Sequence, residues 1–354
     1  MMTAAVNENG GFPVKKHRRV VVTKHGGPEV LQVIEEDLPE PRAGEARVKV
    51  LAAGVSAYDA MLRRSGSLPG SPKAPYTPGE DVVGVVDRLG EGVSDLEPGR
   101  MVAVFTSGDS GGYAEYLCRP AAEMVAVPTG VDPAEAVCLV VNYLTSYVAM
   151  HETAEVQNGQ RILVQGAAGG VGSALLDLGR LAGLEMYGTA SGYNHDLVSE
   201  LGATPIDYRK EDFVQRIRDL TGDGVDAVFD PVGGAGQIRR SYRALRKGGR
   251  LVWFGMAATK DKGLMVIPFT LAMQVLLSVW PDGRQAPLMP DLGAFIESHE
   301  GWYPATLAKL LDLLAEGKLK PVVAERIPLL EAARAHELLD RGGYSGKIVL
   351  VTGG

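Results

Sequence analysis

The chain has 354 residues, 45 of them glycine and only two cysteine, and its 36 basic and 43 acidic side chains give a formal charge of −7. Glycine is nearly twice its usual share of about 7%, yet no Gly-X-Y period is present and 45% of residues are hydrophobic, which excludes a collagen and a disordered chain. Two cysteines cannot build a disulfide framework or a four-thiolate zinc site, and a modest negative charge gives no pull toward nucleic acid. Few cysteines and no apolar leader after the initiator predict a cytoplasmic protein, and at ~150 residues per domain the length predicts about two domains.

In chain order, the basic cluster Lys15-Lys16-His17-Arg18-Arg19 reads as a solvated tail ahead of a strand-like segment at 20–23. Short β-prone segments follow at 47–53, 82–89, 101–105, 113–117 and 124–127. They turn at Pro69-Gly70, Pro78-Gly79, Pro98-Gly99 and Gly111-Gly112, which predicts an antiparallel, partly closed β domain. Asp132-Pro133 supplies an N-cap and a first-turn proline for a long helix reaching about residue 151. Strands at 161–165, 185–189, 204–207, 225–230 and 250–255 then alternate with helices at 170–183, 195–201, 211–220 and 235–245. That alternation is the pattern of a parallel sheet covered on both faces.

Residues 263–281 carry no charge over a length that meets that of a membrane span. Pro268, Gln274 and Ser278, and the α/β alternation around them, instead predict a buried helix and strand and no transmembrane segment; contact with a membrane surface is the alternative. Amphipathic helices at 304–316 and 331–341 and a strand at 347–351 close the chain.

The strongest motif is the run Gly166-Ala167-Ala168-Gly169-Gly170-Val171-Gly172 between the first of these strands and a helix with apolar Val171, Leu175, Leu178 and Ala182. A pyrophosphate needs backbone N–H groups at close range and a helix N-terminus aimed at it. Gly169 lets the backbone approach, Gly172 lets helix pack on strand, and Ala167 stands where the usual fingerprint has its first glycine. An NAD site places Asp or Glu about 20 residues further on; here Ser191 stands there, which leaves room for a 2′-phosphate and selects NADPH. His195 and Arg209, the latter beside Tyr208, are the cationic candidates for that phosphate.

With these motifs the chain resembles the medium-chain dehydrogenase/reductase superfamily, in its zinc-independent NADPH:quinone oxidoreductase-like branch. The likeness runs in order through Gly26-Gly-Pro-Glu-Val-Leu31, Gly54-Val-Ser-Ala-Tyr-Asp59, Pro78-Gly-Glu-Asp-Val-Val-Gly84 and Gly112-Tyr-Ala-Glu-Tyr116. It continues through Leu144-Thr-Ser-Tyr147, the glycine loop, Asp230-Pro-Val-Gly-Gly234 and Gly346-Lys-Ile-Val-Leu350. It implies an α/β protein in which a Rossmann doubly wound parallel sheet (134–285) interrupts a GroES-like β-barrel catalytic domain (1–133 and 286–354), with the nicotinamide in the cleft between them. Thr145, Val232, Phe254 and Gly255 complete the implied cofactor-binding set. Homodimers that pair edge strands are common in the family and would house residues 276–280.

Zinc-dependent members place Cys, His and Cys where this chain has Ser56, Glu80 and Val141, and a catalytic zinc needs three protein ligands. Without that Lewis acid, alcohol–carbonyl interconversion gives way to reduction of a conjugated acceptor, a quinone or an α,β-unsaturated carbonyl. Tyr58 is the candidate hydroxyl for the acceptor oxygen, with Ser56 and Tyr143 beside it, while Asp59 reads as a cap for the next helix. Ser56 replaces an Asn usual in quinone reductases, and His195 aligns with their 2′-phosphate lysine, so NADPH affinity should fall as pH rises. Tyr208 matches the family's tyrosine. Glu80 is either an acceptor-site polar group or a partner of a neighbouring side chain. Two rivals share the cofactor: an enoyl-thioester reductase, in which residues 281–292 overhang the pocket and Arg284 meets an anionic carrier, and a catalytically inactive NADPH-binding protein.

Overall fold

A computed structural model describes residues 15–65, 72–106 and 111–353; the expected Pro69-Gly70 turn lies outside them. The basic cluster is not a tail. β1 (Lys16–Val22) pairs antiparallel with β2 (Leu31–Asp37), with Lys16 opposite Asp37 and Arg18 opposite Glu35. Arg19 meets Glu36 at 2.7 Å, Arg18 meets Glu115 at 2.5 Å, and His17 is buried. Opposite charges across a strand pair stabilise it, and the acidic partner was invisible to a reading of the cluster alone.

β3 (Glu45–Val55) leads into α1 (Ala57–Ser65), and β4 (Asp81–Leu89), β5 (Met101–Phe105), β6 (Tyr116–Pro120) and β7 (Met124–Ala126) follow. β3 pairs with β4 and β6, and β5 with β4 and β7, all antiparallel. Valines 48, 50, 82, 86, 102 and 104 fill the space they enclose. The segment expected as a strand from residue 113 is continuous strand only from Tyr116; ahead of it Ala114 bridges Arg19 of β1, and Gly111, Gly112 and Tyr113 bond back to Thr77, Gly79 and Pro78.

The Asp132 carboxylate accepts from the N–H groups of Ala134 and Glu135 and opens α2 (Pro133–Cys138). The expected single α-helix is instead a continuous helical rod with two π-helical stretches, Leu139–Tyr143 and Val148–Thr153, flanking α3 (Leu144–Tyr147). Such insertions of one residue per turn concentrate at functional sites.

The alternating half follows as β8 (Arg161–Val164), α4 (Gly170–Leu181), β9 (Glu185–Ala190), α5 (His195–Glu200), β10 (Ala203–Asp207), α6 (Phe213–Thr221), β11 (Val225–Asp230), α7 (Ala235–Ala244) and β12 (Leu245–Trp253). The five strands are parallel in the order β10-β9-β8-β11-β12. Strand order reverses between β8 and β11, and ligands of such sheets bind in the crevice beyond the strand ends at that point.

The chain continues through α8 (Thr259–Lys262), α9 (Val266–Ser278), α10 (Leu292–Ser298), α11 (Trp302–Ala315), β13 (Val323–Pro328), α12 (Ala332–Arg341) and β14 (Lys347–Val351). β14 pairs antiparallel with β3 and parallel with β13, so the C-terminus completes a seven-stranded sheet begun by the N-terminal half. The uncharged stretch is a helix without the expected strand, and it is only half buried. Thr270, Gln274 and Leu277 face inward, while Phe269, Val275, Leu276, Val279 and Trp280 are exposed. Within residues 281–292, Gln285 and Leu288 bridge to Arg250 and Trp253 and so lie along the edge of β12. Among the described residues no helix is long and apolar enough to cross a membrane.

Candidate functional site

The phosphate loop begins one residue earlier than the motif suggests. Gly166 holds φ +62°, the left-handed turn that leaves β8, so the glycine missing at Ala167 is not needed. Ala167 is fully buried and donates its N–H to the Thr189 carbonyl at 3.0 Å. Gly169 is the extended N-cap of α4 with no side-chain cap, which leaves the first-turn N–H groups for an anion. A Cβ on Gly172 would lie 2.2 Å from the Gly166 carbonyl oxygen, and one on Gly170 would lie 2.5 Å from Asn142 Nδ2. The loop is therefore pressed between its own turn and the helical rod.

Beyond the neighbouring strand ends lie the expected ribose residues. Ser191 is buried at the end of β9 and shares a hydrogen bond with Tyr208. That bond, with one from Arg209, holds the Tyr208 hydroxyl below its usual range. The Arg209 guanidinium lies 5.7 Å from the centroid of the exposed Tyr208 ring. His195 opens α5 with a buried Nε2 that has no hydrogen-bond partner. A buried polar atom without a partner is costly, and a phosphate on the adjacent ribose would satisfy it. An acid does stand nearby, unanticipated: Asp207, buried at the end of β10, turned to the Arg209 N–H at 3.0 Å and to Lys210 at 3.7 Å.

Across the switch point, Asp230 organises the residues expected around the nicotinamide. Its Oδ1 accepts from the N–H groups of Val232 and Gly233, and Ser241 donates to Oδ2 at 2.6 Å. The Phe254 N–H bonds the Asp230 carbonyl, and a Cβ on Gly255 would lie 2.6 Å from the Pro231 carbonyl oxygen. Burial pulls the Asp230 carboxyl up, and these donors oppose it. Thr145 is half-buried on α3. The buried Tyr143 hydroxyl, expected beside the acceptor, donates to Asp177 at 2.8 Å, and the same Asp177 oxygen takes the Lys320 N–H at 2.7 Å.

At the acceptor end, Ser56 caps α1 in a reciprocal box: its Oγ accepts from the Asp59 N–H at 3.0 Å, and Asp59 Oδ2 accepts from the Ser56 N–H at 2.9 Å. The cap expected of Asp59 is present, and it also reaches the Gly79 N–H at 3.0 Å. Ser56 Oγ is itself 2.7 Å from Asp59 Oδ2. Tyr58 is half-buried on the same helix. Val141 carries no donor atom, and among the described residues no three His, Cys, Asp or Glu side chains converge to hold a metal ion.

Sequence reasoning missed the group that joins the two halves. Lys347, at the start of β14, is buried and paired with the sealed Asp81 at 2.7 Å, and its Nζ lies 3.4 Å from Asn142 Oδ1. Gly346 donates to the Ala168 carbonyl at 2.8 Å, and Ser345 Oγ to Asn194 Oδ1 at 2.7 Å. The catalytic sheet thus touches the phosphate loop directly. Gly54 was the available signal: a Cβ there would lie 2.4 Å from Asp81, so glycine makes room for the pair.

Comparison with known proteins agrees with this architecture. Residues 42–129 match the alcohol dehydrogenase GroES-like domain, and residues 201–350 match the zinc-binding dehydrogenase family. The chain is 31% identical over 348 residues to the quinone oxidoreductase of Pongo abelii, covering 95% of this chain and 98% of that protein. The chain is a medium-chain dehydrogenase/reductase of the quinone oxidoreductase-like branch. The synaptic vesicle membrane protein VAT-1 homolog of Homo sapiens is also similar to this reductase, 32% identical over 350 residues, with 95% of this chain and 86% of that protein covered. The crystal structure of Escherichia coli quinone oxidoreductase complexed with NADPH superposes with a TM-score of 0.83 at 28% identity, over 94% of this chain and 99% of that one. This reductase is an oxidoreductase with a nicotinamide-dinucleotide fold, although Ser56 and Val141 depart from a zinc-ligand set.

Proposed function

We propose that the protein transfers hydride from NADPH to a quinone or an α,β-unsaturated carbonyl without a zinc ion. The observation that carries this reading is the direct contact of the phosphate loop with the sheet that Ser56 and Glu80 flank, while Val141 on the helical rod carries no donor atom. When bound, the dinucleotide supplies the hydride. The N–H groups at the start of α4 would hold its pyrophosphate, and His195, Arg209 and Tyr208 its 2′-phosphate. Val232, Phe254, Gly255 and Thr145 would form the nicotinamide wall, and Tyr58 would donate a hydrogen bond to the acceptor oxygen. Catalysis then rests on holding two flat π-systems in contact, and orientation of this kind removes much of the entropic barrier.

The thioester alternative loses its anchor, because Arg284 is occupied by Asp282 at 3.0 Å and by the Leu245 carbonyl at 3.0 Å. NADPH consumption against a panel of quinones, enones and enoyl-thioesters tests the reading, with Gly169→Asp as the control that removes cofactor binding. NADPH binding without turnover of any acceptor would favour an inactive cofactor-binding protein.

The reductase is a homodimer in this proposal. Residues 285–288 extend the sheet beyond β12, and the exposed apolar face of α9 lies beside them with no charge to keep it in water. A second copy meeting that edge of the sheet covers both. Light scattering should report a dimer, and Val279→Glu with Leu276→Glu should yield a monomer; a wild-type monomer contradicts it. The two free thiols, Cys118 and Cys138, suit the cytoplasm.

A further inference from the structure

Asn142 stands where the catalytic sheet and the phosphate loop meet. It belongs to the π-helical stretch Leu139–Tyr143 and is buried, with 7% of its surface exposed. Ser146 Oγ, one turn further along the rod, lies 2.7 Å from the Asn142 carbonyl oxygen and 3.2 Å from that of Val171. The rod is thereby fastened to the first turn of α4, and the Asn142 side chain is held beside the helix end that receives the pyrophosphate in the proposal above.

Only one orientation of the Asn142 amide fits its surroundings. An ammonium donates and never accepts, so the amide atom that faces Lys347 Nζ at 3.4 Å has to be Oδ1. The NH2 group then points away from Lys347, toward the loop. The distances agree: from the position of a Cβ on Gly170, Nδ2 is 2.5 Å away, Cγ 3.3 Å and Oδ1 3.5 Å. Lys347 is itself buried and held by Asp81 at 2.7 Å. The amide therefore cannot turn over without setting its N–H groups against a fixed cation.

Nδ2 carries two N–H donors, and among the described residues neither meets an acceptor. A donor left idle on a largely buried side chain is costly unless a ligand takes it. The N-terminus of α4 beside it has no side-chain cap either, so backbone and side-chain donors meet at Gly170. Together with the positive end of a 12-residue helix, they suit an anion. We propose that Asn142 is a cofactor-binding residue that donates through Nδ2 to the pyrophosphate, and that Lys347 is the positioning residue that fixes its amide. This rests on the reading above in which the dinucleotide lies on the glycine loop. Because Lys347 belongs to β14, the catalytic sheet sets the aim of a donor in the cofactor site, and dinucleotide affinity depends on the contact between the two halves.

The test is Asn142→Asp, with NADPH and NADH each titrated by fluorescence and thermal unfolding followed without cofactor to verify the fold. The carboxylate keeps the shape of the amide and an acceptor for Lys347, while it removes both donors and sets a negative charge beside the phosphates. NADPH and NADH share the pyrophosphate, so the two Kd values should rise by the same factor. That factor is roughly 10- to 100-fold for one lost bond to a charged group, and larger with the added repulsion. As a second variant, Asn142→Ala removes the donors without adding charge and should weaken both dinucleotides roughly 10- to 100-fold. Phosphorus NMR of NADP+ at saturation should show shifted pyrophosphate resonances in the Ala variant, a readout that loss of packing elsewhere does not move. Wild-type affinity for both dinucleotides in either folded variant overturns the proposal. A loss confined to NADPH overturns it as well, because that result puts the amide at the 2′-phosphate. Failure of the wild-type chain to bind either dinucleotide overturns the parent reading instead, and the role of Asn142 with it.

Discussion

Replacing Gly172 by alanine places a methyl group where its carbon would sit 2.2 Å from the Gly166 carbonyl oxygen, 2.9 Å from Ala167 Cα and 3.0 Å from Ala167 C. All three atoms are backbone of the phosphate loop, so no side chain can rotate away, and the loop or the start of α4 must move by roughly 1 Å. Overpacking of this kind costs about 1–3 kcal/mol. The same movement takes N–H groups of the first turn off the pyrophosphate. A hydrogen bond to a charged group contributes ~1.5–3 kcal/mol, so loss of one weakens NADPH roughly 10- to 100-fold. Fluorescence titration of NADPH measures this, and thermal unfolding without cofactor measures the overpacking. Gly236→Ala is the matched control, because its Cβ meets nothing within 4 Å on the surface of α7; it should leave NADPH affinity unchanged and add up to about 1 kcal/mol of stability. Unaltered NADPH affinity in the Gly172 variant would refute the assignment of the loop.

Further expectations follow from other parts of the site. Ser191→Asp should weaken NADPH at least tenfold more than NADH, as the ratio of the two Kd values would show; an equal effect removes the 2′-phosphate assignment. Lys347→Met leaves Asp81 buried without its partner and should cost about 3–5 kcal/mol in denaturant unfolding. In that variant burial alone acts on Asp81 and holds its folded pKa above the unfolded value, so stability is lost as pH rises through that window. The variant should accordingly lie closer to wild type at pH 5 than at pH 8, and the reverse order would contradict the pairing. Tyr143→Phe should lower stability by about 1.5–3 kcal/mol while kcat stays within twofold; collapse of kcat would place Tyr143 in the catalytic set.

The alternation of strands and helices, the glycine loop and the cap at Asp59 were legible because each depends on residues close in sequence. Lys347, Asp81 and Asn142 were not, since a buried ion pair joining positions 81 and 347 leaves no local pattern beyond Gly54. The tail misreading has the same origin: Lys16 through Arg19 look solvated until Glu35, Glu36 and Asp37 are placed across from them. In α9 the period itself misled, because an uncharged run predicts burial whether the cover comes from its own chain or from another. Tyr143 was expected beside the acceptor from its neighbours in sequence, and the helical rod turns its hydroxyl onto Asp177.

The most direct test of hydride transfer to a conjugated acceptor uses NADPH deuterated at nicotinamide C4, one face at a time, with an enone that gives a saturated ketone. Mass spectrometry of the product should find a single deuterium at the β-carbon from one labelled face only, with the carbonyl retained. Deuterium on the carbinol carbon of an allylic alcohol, or NADPH bound and never oxidised, would contradict the account.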